Sequence, residues 1–344
     1  MDWSECKLTQ DKVESLFKLF DESTTLLQQS VSSSCLDAFI ENAENIIDDG
    51  HVQIENGQPN SATVQKLAAV YRQLNLNEAK PEEIRTVVQL SMLKAIKQDK
   101  IQSNHQMTPD TIGILMAYLL EKVSKFSTPF SMFDLSVGTG NLLTTVMNHL
   151  HTVTKQPIHG YGIDNDESML AVANINTVLQ HQQIDLYHQD AIDSLDIPQS
   201  DLVVSDLPVG YYPLDDNAKN YETRATKGHS YVHHLLIEQA MNYLKPGGFG
   251  VFLVPANLFQ SSESKQFVGW IQQHAHLQGL INLPGELFQN KQSQKSILLL
   301  QRQGPNSKQA TKVLLGEFPS FKNKTEFASF MQEIDHWVVT NLDV

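Results

Sequence analysis

Cysteine is nearly absent: Cys6 and Cys35 are the two in 344 residues. Two thiols cannot build a secreted-type disulfide framework, nor by themselves a multi-thiolate metal site, so both are expected to be inert. Long apolar runs are missing too. The longest, near Val251–Val254 and Ile297–Leu300, fall far short of the ~20 residues of a membrane span. The start, Met1-Asp2-Trp3-Ser4-Glu5-Cys6-Lys7, has neither the basic nor the apolar segment of a secretory signal. A cytoplasmic protein without a membrane partner is expected. A positive charge excess is the third absence: 39 acidic residues against 25 basic ones leave a net charge of −14. Proteins that hold nucleic acid through overall charge are basic, so any phosphate partner must meet a local patch.

What is present is a soluble globular composition, 41% hydrophobic and 19% charged. The length suggests about two domains. Up to about residue 104 the pattern is helical. From Pro81 to Lys100, Ile84, Val87, Val88, Leu90 and Ile96 trace a helical stripe, with Pro81 at a first-turn position and Glu82 and Glu83 where the helix dipole favours acids. Val13, Leu16, Phe17 and Phe20, then Leu36, Phe39, Ile40, Ile46 and Ile47, suggest further amphipathic helices, and Gly50–Asn60 reads as a loop. From 105 to 344 short apolar runs alternate with helix-length segments. Strands are expected at Ser131–Leu135, Ile158–Ile163, Asp185–His188, Asp201–Ser205, Gly248–Val254, Leu277–Asn282 and Ser296–Gln301. Helices are expected around Pro109–Lys125, Asn141–Thr152, Asp166–Gln180, Ser230–Leu244 and Ser262–His276. This alternation predicts an α/β fold with a Rossmann-like, doubly wound sheet of seven strands, whose last two pair antiparallel at one edge. Such a sheet binds ligands beyond the carboxyl ends of its strands.

The first strand runs into Asp134-Leu135-Ser136-Val137-Gly138-Thr139-Gly140-Asn141. Gly138 and Gly140 permit a sharp turn and close backbone approach to a ligand where the next helix opens. The second strand ends in Asp164, 24 residues after Gly140, where a carboxylate can accept from both hydroxyls of a ribose. The third leads to Gln189-Asp190-Ala191, with an acid suited to an adenine amino group. Leu143 stands where a dinucleotide fingerprint wants Gly or Ala, and Asp134 would repel a pyrophosphate. A cationic ligand without phosphate, S-adenosylmethionine, is favoured over NAD.

The fourth strand leads into Ser205-Asp206-Leu207-Pro208-Val209-Gly210-Tyr211-Tyr212-Pro213. An exocyclic base amine is a poor nucleophile because its lone pair is delocalised into the ring. Two acceptors for its hydrogens, the Asp206 side chain and the Leu207 carbonyl, would localise that pair and position the nitrogen in line with a methyl donor. Pro208 would stiffen the loop, and Tyr211 or Tyr212 could stack on an extruded base.

At residues 105–301 the chain resembles the N6-adenine DNA methyltransferases, especially the modification subunits of type I restriction systems. It is also similar to a YtxK-like group of Gram-positive class I methyltransferases, which carry a comparable Asp-Leu-Pro-Val-Gly-Tyr-Tyr-Pro stretch. The resemblance rests on His105-Gln106-Met107-Thr108-Pro109, on Asp134–Gly140, on the Asp206 loop, on Leu235–Ala240 through Leu244-Lys245-Pro246-Gly247-Gly248 to Val254-Pro255, and on Leu280–Phe288. It implies a class I methyltransferase sheet and a helical N-terminal domain. It assigns Thr108, Asp134, Gly138, Gly140, Asp164 and Asp190 to S-adenosylmethionine, and Asp206 and Leu207 to the amine; Asn141 and Ala191 are expected beside the cofactor and Pro208 and Tyr211 beside the amine from their places in the two loops, with no metal. The implied activity is N6-adenine methylation of DNA. The same chemistry on RNA, protein or a small amine, or cofactor binding without turnover, remains the alternative. Leu207 replaces the first proline of the family motif and Val209 its stacking aromatic, whose loss costs on the order of 1–3 kcal/mol. Only about 43 residues follow Gln301, too few for a long target-recognition segment. DNA is therefore expected to be held weakly or with help, from a partner subunit or in a homodimer. His229, His233 and His234 read as solvated or core histidines. Lys219, Arg224 and Lys227, extended by Lys291 and Lys295, are the best local candidates for phosphate contact.

Overall fold

The computed structural model describes residues 3–101, 107–126, 128–261, 263–288 and 290–342, with side chains from Gln10 onward except Lys291. His105, Gln106 and Ser262, and the side chains of Cys6 and Lys291, lie outside the described residues. Two compact units emerge. One comprises Met1–Met107, Gly138–Asn148 and Asp166–Gln183; the other comprises Thr108–Val137, His149–Asn165 and Ile184–Val344.

The first unit is helical: α1 (Trp3–Val31), α2 (Cys35–Ile47), α3 (Ser61–Tyr71) and α4 (Pro81–Asp99), with the opening turns of α6 (Asn141–Thr154) and all of α7 (Glu167–Leu179). Its ends are set by local chemistry. The Ser34 side chain caps α2 by accepting from the Asp37 amide, and the Asp166 side chain caps α7 from the Met169 amide at 3.0 Å. Pro81 opens α4, where the Glu83 carboxylate accepts from the Lys80 amide at 2.8 Å. The apolar stripe expected on α4 faces a core: Ile84, Val87, Val88 and Met92 pack with Leu16 and Phe20 of α1, Phe39 and Ala43 of α2, and Met169, Val172, Ile175 and Leu179 of α7. The N-terminal helices thus bury one whole face of a helix that the sequence assigns to the α/β part.

The second unit contains α5 (Asp110–Val123) and the sheet with its flanking helices. The strands are β1 (Phe130–Asp134), β2 (Ile158–Asp164), β3 (Gln183–His188), β4 (Ser200–Asp206), β5 (Leu244–Pro255), β6 (Ala275–Asn282), β7 (Lys295–Arg302) and β8 (Leu314–Glu317). They are joined through α8 (Asp215–Ala218), α9 (Val232–Tyr243) and α10 (Ser264–His274), and followed by α11 (Lys324–Asn341). The strand order is β3-β2-β1-β4-β5-β7-β6-β8. β1 pairs parallel with β2 and β4, and β4 parallel with β5. β7 runs antiparallel between β5 and β6. Phe133, Val203, Phe252 and Leu298 from the strands, Leu235 and Ile237 from α9, and Phe267 and Trp270 from α10 form the core.

All seven expected strands are present, and the count among the described residues is corrected to eight. β8 adds parallel to β6 and takes the edge expected for the antiparallel pair, which lies inside the sheet instead. Its four residues Leu-Leu-Gly-Glu are mostly exposed, so they carry no period-two signal to read. The order reverses between β1 and β4, because β2 and β3 run off one way from β1 while β5 follows β4 the other way. That switch point is where a doubly wound sheet opens a ligand crevice.

Candidate active site at the strand ends

Asp134, Asp164 and Asp206 are the last residues of β1, β2 and β4, and Asp190 lies just beyond β3. Because β1 and β4 are parallel neighbours, Asp134 and Asp206 emerge side by side at the switch point. Asp134 is buried, with Oδ1 accepting from Ser205 Oγ at 2.5 Å and from the Ser136 amide at 3.0 Å. Its Oδ2 is buried without a hydrogen-bond partner among the described residues. Burial pushes the acid up to about 7; the Ser205 and Ser136 hydrogen bonds oppose this, and the charges of Asp164 and Asp206 add to it.

Ser136 Oγ lies 2.8 Å from Ser205 Oγ and donates to the Asp206 backbone carbonyl at 3.0 Å. Ser205 Oγ and Ser136 Oγ thus bridge the Asp134 carboxyl to the Asp206 carbonyl.

Asp206 itself is held on both oxygens. Oδ2 accepts from Thr108 Oγ1 at 2.9 Å, and Oδ1 accepts from the Lys295 ammonium at the start of β7. The structure thus brings Thr108, Asp134 and Asp206 into one connected cluster. Lys295, expected to reach toward phosphate, turns inward to the strand-4 acid. The adjacent Leu207 is fully buried, with its amide donating to the Leu253 carbonyl at 3.1 Å, while Pro208 is exposed.

The two tyrosines part company. Tyr212 is buried, and its hydroxyl donates to Asp190 Oδ2 at 2.7 Å; Asp190 Oδ1 accepts from the Ile192 amide at 2.9 Å. Tyr212 is therefore a scaffold residue, which removes it as a stacking candidate, and Ala191 beside it is buried. Tyr211 is 61% exposed and stacks on Tyr231, with centroids 4.8 Å apart and planes at 25°. Val209, in the position of the family's aromatic, is 63% exposed. Gly210 lets the loop turn, at φ +135.

In the helical unit, the glycine turn continues directly from the first strand. Gly138 has φ +51, and a Cβ there would meet nothing within 4 Å, so the glycine serves the conformation of the turn and not its packing. Gly140 has φ +74, and its Cβ would stand 3.3 Å from Ala173 Cα and Cβ, so here the glycine serves helix packing as well as conformation. Asn141 is buried and its Oδ1 accepts from Arg85 Nη1 of α4 at 2.8 Å. The Asn176 amide of α7 donates to the Thr139 carbonyl at 2.9 Å. Gly140→Ala is expected to cost more thermal stability than Gly138→Ala: roughly 1–3 kcal/mol for the strained position and its neighbour, against about 1 kcal/mol for conformation alone. Differential scanning calorimetry of the two variants checks the order, and a larger loss for Gly138→Ala would overturn it.

The residues that sequence reasoning missed are Ser136, Ser205, Arg85 and Tyr231, and it gave Lys295 to phosphate where the structure gives it to Asp206. Ser205 could have been found from its place just before Asp206; Lys295 and Arg85 act across 89 and 56 residues of chain and leave no local signal. The loop after Pro213 is no basic patch. Asp215, Asp216 and Glu222 match Lys219, Arg224 and Lys227, and Arg224 donates back to the Lys219 carbonyl. His229 pairs with Asp215. His233 and His234 are buried, as core histidines should be, and among the described residues no three potential ligands gather for a metal. Cys35 is buried, which raises its thiol pKa in keeping with an inert side chain. No helix among the described residues is long and apolar enough to cross a membrane.

Comparison with known proteins extends the picture. The N-6 DNA methylase family profile matches residues 91–334, and that of the YtxK N-terminal helical domain matches residues 14–96. YtxK, an uncharacterised protein of Bacillus subtilis (strain 168), is 34% identical over 330 residues, covering 96% of this chain and 98% of that protein. The crystal structure of a candidate class I S-adenosylmethionine-dependent methyltransferase from Listeria monocytogenes superposes with a TM-score of 0.87 at 39% identity, covering 95% of this chain and 99% of the other. The modification subunit of a candidate type I restriction enzyme from Vibrio vulnificus YJ016 gives a TM-score of 0.61 at 17% identity, over 80% of this chain and 61% of that one. At that identity the likeness speaks to the fold alone.

Proposed function

Because the chain belongs to the N-6 DNA methylase family and carries the helical domain of YtxK-like proteins, we propose that it is an S-adenosylmethionine-dependent methyltransferase acting on an amino nitrogen, adenine N6 in DNA first. The observation that carries this reading is the pairing of two acids at the sheet's switch point: Asp134 with an unpartnered buried oxygen, and Asp206 with a carboxylate fixed by Thr108 and Lys295. A division of the sequence near residue 104 belongs to the same proposal; the two family matches meet a little earlier, at residues 91–96.

The residues fit the cofactor. An acid with an unsatisfied oxygen suits a cation, and the open space beside Gly138 suits close backbone approach. Thr108, Asp134, Gly138, Gly140, Asn141, Asp164, Asp190 and Ala191 would hold it. When bound, S-adenosylmethionine supplies a methyl group on a sulfonium; the acceptor nitrogen gains that methyl and loses one proton to water. Asp206 accepts one N–H of the amine and the Leu207 carbonyl accepts the other, which turns the nitrogen lone pair out of conjugation and fixes its direction. Pro208 holds that carbonyl in place, and Tyr211, backed by Tyr231, offers a flat face for a base.

Cofactor affinity is expected to rise with pH up to about 7 and to level off above it. The free chain must release the Asp134 proton before the carboxylate can meet a cation, so affinity falls by up to tenfold per pH unit below that value. Calorimetry in buffers of different ionisation enthalpy reads the released proton directly; a flat profile between pH 5.5 and 8 would remove Asp134 from the cofactor site.

The function is tested by titrating S-adenosylmethionine into the full chain, then assaying labelled methyl transfer to unmodified DNA, to RNA and to cell extract. Transfer to DNA supports the reading, and absence of cofactor binding overturns it. The exposed Val209 and the −14 charge support a second reading, the same chemistry on RNA, protein or a small amine. They equally suit a DNA enzyme that depends on a partner subunit for its grip.

A further inference from the structure

We infer that Lys295 determines which amines the site accepts, admitting neutral conjugated amines and rejecting alkylammonium groups such as lysine side chains and polyamines. The inference rests on the reading of Asp206 as the amine acceptor. Its basis is the ion pair of the Lys295 ammonium with Asp206 Oδ1, in which the two side chains are 25% and 20% exposed, together with the Thr108 hydroxyl on Oδ2.

The charge of Asp206 is thereby already matched. A carboxylate has about four acceptor positions, so a neutral N–H can still be added to the two donors present. A protonated amine cannot be added on the same terms. It would seek the negative charge of Asp206 and find it balanced, with a second ammonium a few ångströms away and little water to screen the repulsion. To accept a methyl group it would also have to give up a proton, and an acid already engaged with Lys295 is poorly placed to take one. A neutral exocyclic amine or carboxamide meets none of these costs. Its nitrogen is attached to a carbon that also bears an acceptor, a ring nitrogen or a carbonyl oxygen. An ammonium carries three donors, so while one serves Asp206 a second can meet that neighbouring acceptor. Asp206 and Lys295 together therefore present an acceptor beside a donor, the complement of the N–C–NH2 edge of a base or the O–C–NH2 edge of a carboxamide. This narrows the substrate class from amines in general to planar neutral ones.

The test uses the full chain as wild type, Lys295→Gln, Lys295→Arg and, as a charge-matched control, Lys322→Gln, whose side chain is 86% exposed. In the first measurement, a short peptide with one lysine and its norleucine counterpart are titrated calorimetrically into each protein without cofactor. Lys295→Gln should bind the lysine peptide at least tenfold more tightly than wild type, while Lys295→Arg and Lys322→Gln stay at the wild-type level. Equal binding by Lys295→Gln and wild type overturns the inference. In the second, labelled methyl transfer to an adenine-containing single-stranded oligonucleotide is compared with transfer to the lysine peptide. Wild type should methylate the oligonucleotide alone, Lys295→Gln should lose at least tenfold on it, and Lys295→Arg should keep most of the rate. Transfer to the lysine peptide by wild type also overturns the inference. If no protein methylates either substrate, the methyltransferase reading fails, while the peptide titration still decides the role of Lys295.

Discussion

Asp206→Ala should lower methyl transfer by about 10²–10⁴-fold while leaving S-adenosylmethionine affinity within about twofold of wild type. The two sites meet at this residue twice: Ser136 Oγ donates to the Asp206 carbonyl, which alanine retains, and Thr108 Oγ1 donates to its carboxylate. Removing the side chain strips the amine acceptor and releases the Thr108 hydroxyl and Lys295 without disturbing the hydroxyls around Asp134. Asp206→Asn keeps an acceptor oxygen in place but weakens the hold on Lys295, and its rate should lie between the two. Steady-state transfer together with calorimetric cofactor binding decides the matter. A parallel loss of both in Asp206→Ala would assign the residue to the cofactor pocket or to the fold.

The second large effect concerns stability in acid. His233 and His234 sit in the α9 core, where burial lowers their pKa values to about 4 and about 3, with the neighbouring ring of His233 adding to the shift of His234. Neither ring nitrogen of His234 has a hydrogen-bond partner among the described residues, and the ring lies flat on Phe267, 4.1 Å between centroids. Above about pH 6.5 both histidines are neutral whether the chain is folded or not, and they impose no pH dependence. Below it the unfolded chain takes up two protons that the folded chain refuses, so stability is lost as the pH falls toward 4. The slope is about 1.4 kcal/mol per unit for each histidine, or roughly 5 kcal/mol between pH 6.5 and 4.5 as an upper figure. Urea unfolding at pH 7 and 4.5 measures the difference. His234→Phe should remove about half of it and should also be more stable at pH 7, because a ring of similar shape replaces one with unsatisfied nitrogens. An unchanged pH difference in His234→Phe would show that the acid sensitivity arises elsewhere.

Much of this molecule is legible in its sequence, and the reasons are local. Pro81 with its following glutamates, the apolar run Leu202-Val203-Val204 of the fourth strand, and the glycines after Asp134 each act on their immediate neighbours, so their geometry follows from a short window of sequence. The strand-end acids could be placed because a parallel sheet aligns the carboxyl ends of its strands. What stayed hidden depends on distant chain. Nothing near Lys295 shows that β7 inserts between β5 and β6 and so delivers an ammonium to the end of β4. Tyr211 and Tyr212 look interchangeable in a row; only the bridge between Tyr211 and Tyr231 turns one ring outward and leaves the other to Asp190. The edge strand β8 went unread because exposure on a short strand erases the alternation that would have marked it.

The helical unit's ownership of α7 and of the glycine turn has a consequence for how such a chain can be inherited and handled. A gene shortened to begin at residue 105 would keep every residue assigned to cofactor and amine. Yet α7 would lose Phe20, Phe39, Ile84 and Met92 from its apolar face, and Asn141 would lose the Arg85 guanidinium. The product would expose a greasy helix beside an unsupported turn, prone to aggregate on expression. The first hundred residues thus supply most of a compact unit that the glycine turn and α7 complete, and the helical part cannot be cut away at the sequence boundary without stripping the partners of both.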